Sequence, residues 1–520
     1  MKPTFALAAL AGVAASSLAA TIHADICFGV TPYPVGIQPS DVAAADLNLD
    51  GYPDLVVANH DPALDNRIAV LLNQGDGTFA PSVFYDTGDR PYWLATGDFN
   101  GDGLPDVAVT NYFGASISVF LNVGGGTLAP QVLYETLPGP TFILAADVTG
   151  DGAPELLVAN ESASTVTTFV NAGDGTFAAA PTTPVGYAPY GLASGDFDLD
   201  GDLDVAVSNY GTGEVNTEIG ILLNQGDGSF ARQVVYLAGY ATVGLAAVDV
   251  DNDGFLDLAG ANLGFFAEND TVSVLRNQGD GTFATHVEYV VGAGPYDIAA
   301  TDFNGDGFAD LATGNEQGTV SILLNQGDGT FARSENVPIV ASALGLAIAD
   351  LDANATPEIA IAALSTGDVF VLFNEYVGIV APPSDVASVP GDRVTFSVVA
   401  GGPGPFTYQW RKDGVDLVDG GTVGGANAST LSIAPASLRD AGAYDVVVTN
   451  ACGSVTSAPA TLKVTGPRCP TDLDGNGTTD GADLGALLGN WGGSGTGDLD
   501  ASGTVDGADL GTLLGSWGSC

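Results

Sequence analysis

A unit of about fifty residues is written seven times along this chain, and that repetition constrains the fold more than any other feature. One copy reads Leu94-Ala-Thr-Gly-Asp98-Phe-Asn100-Gly-Asp102-Gly103-Leu-Pro-Asp106-Val-Ala-Val, followed by Ile117-Ser-Val-Phe-Leu and a glycine-rich turn. The first aspartates of the copies are Asp46, Asp98, Asp147, Asp196, Asp249, Asp302 and Asp350. Short apolar runs alternate with Asp-Gly or Asn-Gly turn signals, so each copy reads as a four-stranded antiparallel sheet. That period and strand count predict a mainly β chain whose largest part, residues 27–377, is a seven-bladed β-propeller.

A ring of blades must join its ends. The seventh copy supplies strands near Leu346 to Ala349, Glu358 to Ala362 and Asp368 to Phe373, then leaves without a fourth. Phe28 stands before Asp46 much as Phe79 stands before Asp98, so residues 28 to about 36 are expected to be the missing strand and to pair with the one ending near Phe373.

Each first aspartate opens the pattern D-x-[DN]-x-[DN]-G-x-x-D. Oxygen side chains at positions 1, 3, 5 and 9, a backbone carbonyl at 7 and glycine at 6 make a cage suited to Ca²⁺. Blade one offers Asp46, Asn48, Asp50 and Asp54, and blade two Asp98, Asn100, Asp102 and Asp106. Blade four offers Asp196, Asp198, Asp200 and Asp204; blade five, Asp249, Asp251, Asp253 and Asp257; blade six, Asp302, Asn304, Asp306 and Asp310. Blade three departs with Thr149 and Glu155 beside Asp147 and Asp151. Blade seven departs further, with Asp350 and Asp352 joined by Asn354, Ala355 in place of the turn glycine, and Glu358; it is expected to be the weakest site. The copies resemble FG-GAP or VCBS repeats, which build integrin-α-type propellers, and the resemblance covers roughly two thirds of the chain.

A second repeated element, Asn73-Gln-Gly-Asp-Gly-Thr-Phe79, recurs from Asn224, Asn277 and Asn325 and reads as a hairpin whose Phe packs between blades. Loops at the other end of the strands carry Tyr92, Tyr190 and Tyr296, each after a proline, together with Tyr112, Phe113, Tyr210, Phe265 and Phe266. Asn59, Asn111, Asn160, Asn209, Asn262 and Asn315 follow at a fixed distance from the calcium pattern. A ring of aromatics and amides suits a sugar or an extended peptide; tyrosines packed on loop prolines and asparagines capping turns are the plainer alternative. Tyr92, Tyr112, Tyr190, Tyr210, Phe265 and Tyr296 are the candidate ligand residues.

Residues 378–466 resemble bacterial immunoglobulin-like domains, through Trp410 in Tyr408-Gln-Trp-Arg and through Asp440-Ala-Gly-Ala-Tyr444, which looks like a tyrosine corner. Val398 and Val446 stand where that family has a disulfide. Residues 467–520 contain a duplication. Asp472, Asp474, Asn476, Thr478, Asp480 and Asp483 are repeated as Asp498, Asp500, Ser502, Thr504, Asp506 and Asp509, both in EF-hand-like calcium loops with Thr478 and Thr504 offering backbone carbonyls. Short helices are expected at Leu484 to Trp491 and Leu510 to Trp517. The pair resembles a type I dockerin, a small α-helical module that implies a cohesin-like or other surface partner.

Lys2 and the apolar run from Phe5 to Ala20 predict a secretory signal over residues 1–20, hence a secreted or cell-surface chain with no other candidate membrane span. Of four cysteines, Cys469 and Cys520 bracket the final module and are the expected disulfide, with Cys27 and Cys452 unassigned. The 62 acids against 12 basic residues, a formal charge of −50, disfavour nucleic acid and anionic membranes. Half of those acids sit at proposed calcium positions. His23, His60 and His286 form no recognisable catalytic constellation. The expectation is a calcium-binding adhesion or ligand-recognition protein with no catalytic residues. The alternatives are a polysaccharide-active enzyme, which would need unassigned acids such as Asp61, Glu161 or Glu316, and a structural cell-surface spacer.

Overall fold

The computed structural model describes residues 27–60, 66–211, 217–264, 270–339, 341–402, 404–465 and 470–519. The expected signal segment, Asp61, Phe265, Phe266, Cys469 and Cys520 lie outside the described residues.

Strand follows turn as the repeats dictate. In unit one, β2 (Pro39–Ala45), β3 (Asp54–Asn59), β4 (Arg67–Leu71) and β5 (Val83–Asp86) form one antiparallel sheet in sequence order. Five further units repeat that order, the third with its outer strand in two short pieces. The seventh sheet is completed by β1 (Phe28–Pro34), which pairs antiparallel with Asp368–Asn374 in the register Phe28↔Asn374 to Pro34↔Asp368. First strands touch in cyclic order: 39–45, 91–97, 140–146, 189–195, 242–248, 295–301, 343–349 and back to 39–45. Seven sheets thus follow one another around a ring.

The second strand of every unit is buried along its whole length, yet in all seven it begins with a carboxylate, as in Asp54–Asn59 and Glu358–Ala363. A buried acid needs partners. Asp54 has two: Oδ2 accepts from Leu47 N at 3.0 Å and Oδ1 from Asn73 N at 2.7 Å. Asn73 then donates Nδ2 to Pro53 O at 3.0 Å and to Leu351 O, in the seventh unit, at 2.8 Å. The same amide clamp onto the preceding unit is made by Asn122 to Leu47, Asn171 to Phe99, Asn224 to Val148, Asn277 to Phe197, Asn325 to Val250 and Asn374 to Phe303. The hairpin reading of the Asn73, Asn224, Asn277 and Asn325 motifs is correct as far as it goes; Asn73↔Phe79 and its counterparts bridge. The clamp is the added finding, and it includes Asn122, Asn171 and Asn374.

Residues 378–464 form two facing sheets and a short two-stranded ribbon of 378–381 with 399–401. One runs 386–388, 460–464, 442–449, 407–412, 415–416; the other 394–397, 430–433, 423–424. Phe396, Trp410, Leu431, Tyr444 and Val446 fill the space between, with Val398 beside them. Tyr444 Oη donates to Asp440 O at 2.7 Å, the tyrosine-corner bond, and Trp410 Nε1 to Ala428 O at 2.8 Å.

Cys27, just before β1, is bonded to Cys452 across 425 residues of sequence, so the ring and the two-sheet domain are covalently joined. In the terminal module α1 (Gly481–Gly489) and α2 (Gly507–Gly515) start three residues before the expected helices and stop short of Trp491 and Trp517. Asp480 and Asp506 cap them, each reciprocated by Asp483 or Asp509 in a capping box. Leu487, Val505 and Leu513 make the small core. Each loop leads into one helix, and among the described residues none precedes the first loop, so a helix–loop–helix pair is not what forms.

Replacing Asn277 by alanine strips Phe197 O and Leu256 O of their buried donor. Asn277→Ala should cost the ring about 1–3 kcal/mol in denaturant unfolding, whereas Gln278→Ala at the exposed neighbour should stay within about 0.5 kcal/mol. Equal effects would remove the clamp from the list of forces holding the ring.

Candidate ligand and metal sites

The two ends of the ring differ in chemistry. At one end lie the loops between first and second strands. In unit one Asp46 Oδ1 accepts from Asp50 N at 3.1 Å and Oδ2 from Gly51 N at 2.8 Å, while Asp50 Oδ1 accepts from Tyr52 N at 3.0 Å. Asp98, Asp147, Asp196, Asp249 and Asp302 repeat the pattern on Gly103, Gly152, Gly201, Gly254 and Gly307. Unit seven does the same: Ala355 takes φ +68° and donates its N–H to Asp350 at 3.0 Å, so the missing glycine does not change the loop.

Carboxylate oxygens converge within 4.8 Å in Asp196, Asp198 and Asp204; in Asp249, Asp251 and Asp257; in Asp350, Asp352 and Glu358; and, in the terminal module, in Asp472, Asp474 and Asp483. Burial pushes Asp54, Asp106, Asp204 and Asp257 up to about 6, Asp310 to about 7 and Glu358 to about 8. An all-oxygen donor set of carboxylates, amides and carbonyls matches the preferences of a hard divalent cation. The loops are not identical. Thr149 Oγ1 donates to Glu155 at 3.3 Å, and Asp251 meets the Arg276 guanidinium at 3.0 Å. The second terminal loop closes as the first does, Gly503 N donating to Asp498 at 2.8 Å.

At the other end, each loop leading into an inner strand receives a backbone bond from the loop after the second strand. His60, Tyr112, Glu161, Tyr210, Leu263, Glu316 and Leu364 donate their N–H groups to residues 38, 90, 139, 188, 241, 294 and 342. Those seven residues form the rim. Inside it Tyr92, Tyr190 and Tyr296, each one residue into an inner strand, bring their hydroxyls together in mutual hydrogen bonds. A cavity of about 280 Å³ opens above them, lined also by Arg90, Tyr112, Glu161, Tyr210, Val243 and Leu263.

Five of the six candidate ligand residues therefore share one cavity, and they come from three different units. Burial holds the Tyr92, Tyr190 and Tyr296 hydroxyls above their ordinary range and lifts Tyr112 and Tyr210 to about 12, so all five remain neutral donors. Tyr112 Oη donates to Glu161 Oε2 at 2.6 Å. Beside the tyrosines, Asp41 and Asp297 are buried on inner strands and accept from Leu94 N and Leu346 N of the next unit. Arg90 and Leu263 are lining residues that the sequence reading missed. Their signal was present: one precedes the inner-strand proline, the other follows the strand-ending asparagine.

Residues 46–109, 98–158, 147–207, 200–260, 265–313 and 302–361 match the FG-GAP-like repeat. The chain belongs to the FG-GAP-like repeat family. Residues 378–450 match an immunoglobulin domain, and both families are non-catalytic. A 61-residue stretch, 12% of the chain, is 43% identical to the decoration protein of Escherichia phage T5; the chain spans about a third, 34%, of that relative. Among solved structures, titin domain M4 is 26% identical and M3 28%, each over 17% of this chain and 95% of the titin domain, at a TM-score of 0.16.

Within the FG-GAP-like units the asparagines ending the second strands do not line the tyrosine cavity. They are buried, and their amides bond the third strand: Asn111 to Ser116 and Ser118, Asn160 to Thr167, Asn262 to Thr271 and Ser273, Asn315 to Thr319 and Ser321. The sequence reading of a mixed aromatic and amide ring is corrected on that point. In unit two, Ser118 passes the bond on to Gln131 at 2.6 Å. Unit four has Gly220 where unit two has Ser118, and there Asn209 and Gln233 Oε1 are buried without partners. A Cβ at Gly220 would meet the Gln233 carboxamide, the flexible end of a long side chain, so Gly220→Ser should supply the hydroxyl once Gln233 swings aside and raise the unfolding free energy by about 1 kcal/mol. Unfolding in denaturant checks this; a loss of stability would mean that the strand needs glycine for space.

Proposed function

We propose that this chain is an exported, calcium-loaded binding protein without catalytic activity. The ring is a β-propeller whose tyrosine pocket receives a glycan or a segment of an extracellular protein, and the terminal module attaches the molecule to a surface or scaffold partner. One observation carries the reading: Tyr92, Tyr112, Tyr190, Tyr210 and Tyr296 line one cavity, at the end of the ring away from the acidic loops. Aromatic faces with hydroxyl donors suit sugar stacking and directional hydrogen bonds. The Cys27–Cys452 bond fits an oxidising compartment.

Calcium would be held by the side chains at positions 1, 3, 5 and 9 of the loops, and its role there is to neutralise carboxylates packed within a few ångströms. The duplicated loops of the terminal module offer the same donors. Leu488, Trp491, Leu514 and Trp517, two matching pairs from the duplication, are each about half exposed, which suits attachment to a partner, as in a dockerin. A glycosidase reading has less support, because Glu161 lines the tyrosine pocket while Glu316 lines a separate depression with Gln317 and Ser365.

Chelation should lower the melting temperature of the ring, since a ligand at a hundredfold its Kd stabilises by about 2.7 kcal/mol per site. Asp102→Ala should reproduce part of that loss; a melting curve indifferent to chelator would end the calcium reading. For the ligand, a glycan array probed with the calcium-loaded chain should give specific signals that fall when Tyr92 or Tyr296 is replaced by phenylalanine. Retention of those signals would move the ligand elsewhere on the surface.

A further inference from the structure

We propose that the tyrosine pocket takes an acidic sugar, a uronate-type residue whose carboxylate is held by Arg90. The proposal rests on the glycan reading above and adds the charge of the ligand. The loop residue before each inner strand is held left-handed in six units: Gln38, Arg90, Gly139, Ala188, Ala241 and Gly294, with φ from +50° to +75°. That conformation is sterically costly for a non-glycine residue. Two units relieve the cost with glycine and two keep the side chain to one carbon. Unit one carries glutamine at +50° and unit two arginine at +61°, and of the two only arginine is charged.

The Arg90 guanidinium lies against the aromatic wall, 4.6 Å from the Phe113 ring centre, 5.3 Å from Tyr112 and 5.9 Å from Tyr92. Its Nε is buried and has no hydrogen-bond partner, and among the described residues no carboxylate forms an ion pair with it. In a chain with 62 acids and 12 basic residues, an arginine without an acid partner, fixed at the edge of a cavity, is a prepared anion contact.

Glu161 in the same wall narrows the choice of anion. Its Oε2 is taken by Tyr112 Oη, and its charge opposes a compact anion such as sulfate. The ligand must bring hydroxyl donors toward Glu161, a carboxylate toward Arg90 and a C–H face toward the tyrosines. A single sugar acid does all three and is of a size for about 280 Å³.

Titration calorimetry on the full calcium-loaded chain tests this with D-glucuronate and D-galacturonate against D-glucose, D-galactose and sulfate. A uronate should bind about tenfold or more tightly than its neutral sugar, the range of one charge-assisted hydrogen bond. Arg90→Gly, the residue of units three and six, should abolish that preference without lowering the melting temperature. Neutral sugars bound as tightly as uronates, or a preference that survives Arg90→Gly, would overturn the assignment and leave the glycan reading standing. Sulfate bound more tightly than either uronate would overturn the sugar acid in favour of a bare anion site. Binding of no sugar at all would bring down both.

Discussion

Everything in the ring hangs on one buried relay. A carboxylate at the start of each second strand accepts the backbone N–H of an asparagine, and the amide of that asparagine reaches the neighbouring unit. Neither half is stable alone. A carboxylate inside a sheet is costly unless its oxygens are bonded, and the carbonyl of the preceding loop would be stranded without the amide. Because the relay runs between units, it adds a directional bond to the non-directional apolar contact they share, such as that of Val56 and Val70 with Leu94 and Val107. The acid that ends the acidic loop thus also fixes its neighbour, and loop geometry and ring assembly are one problem.

The sequence disclosed the repeats, the four-strand units and the closing role of Phe28–Pro34, because all three are matters of period and count. It also disclosed which aromatics converge, since Tyr92, Tyr190 and Tyr296 share one offset from the acidic loop. It was silent where the partner lies in another repeat. Asn122 is followed by Val-Gly-Gly-Gly and its motif looks unlike that of Asn73, yet both clamp the preceding unit, because only the backbone path decides that contact. The second-strand asparagines misled for the opposite reason. An amide beside a loop looks exposed in one dimension, and burial depends on the third strand, whose Ser or Thr hydroxyls receive it. Arg90 went unnoticed because its place before the inner-strand proline recurs but its residue type does not, and the sequence reading followed residue type.

The two ends of the ring have been given separate duties. Asn304, Gly305 and Asp306 of the sixth acidic loop border a crevice with Val455, Thr456 and Ser457 of the immunoglobulin-like domain, so that domain sits at the acidic-loop end. Tyr376, in the connection between them, lies so close to Gly305 that a side chain there would collide with its hydroxyl. The tyrosine pocket opens at the opposite end, clear of this junction.

Strand β1 also imposes an order on events during synthesis. It is the first part of the ring to leave the ribosome, and its partner, Asp368–Asn374, is the last. Six sheets can form as they emerge, each from neighbouring strands, but the seventh waits for both termini of the ring to be present. Until then an edge strand with no sheet must be kept from pairing with another chain, a task that falls to whatever accompanies the nascent polypeptide. The last ring strand to be made is therefore the one that commits the molecule.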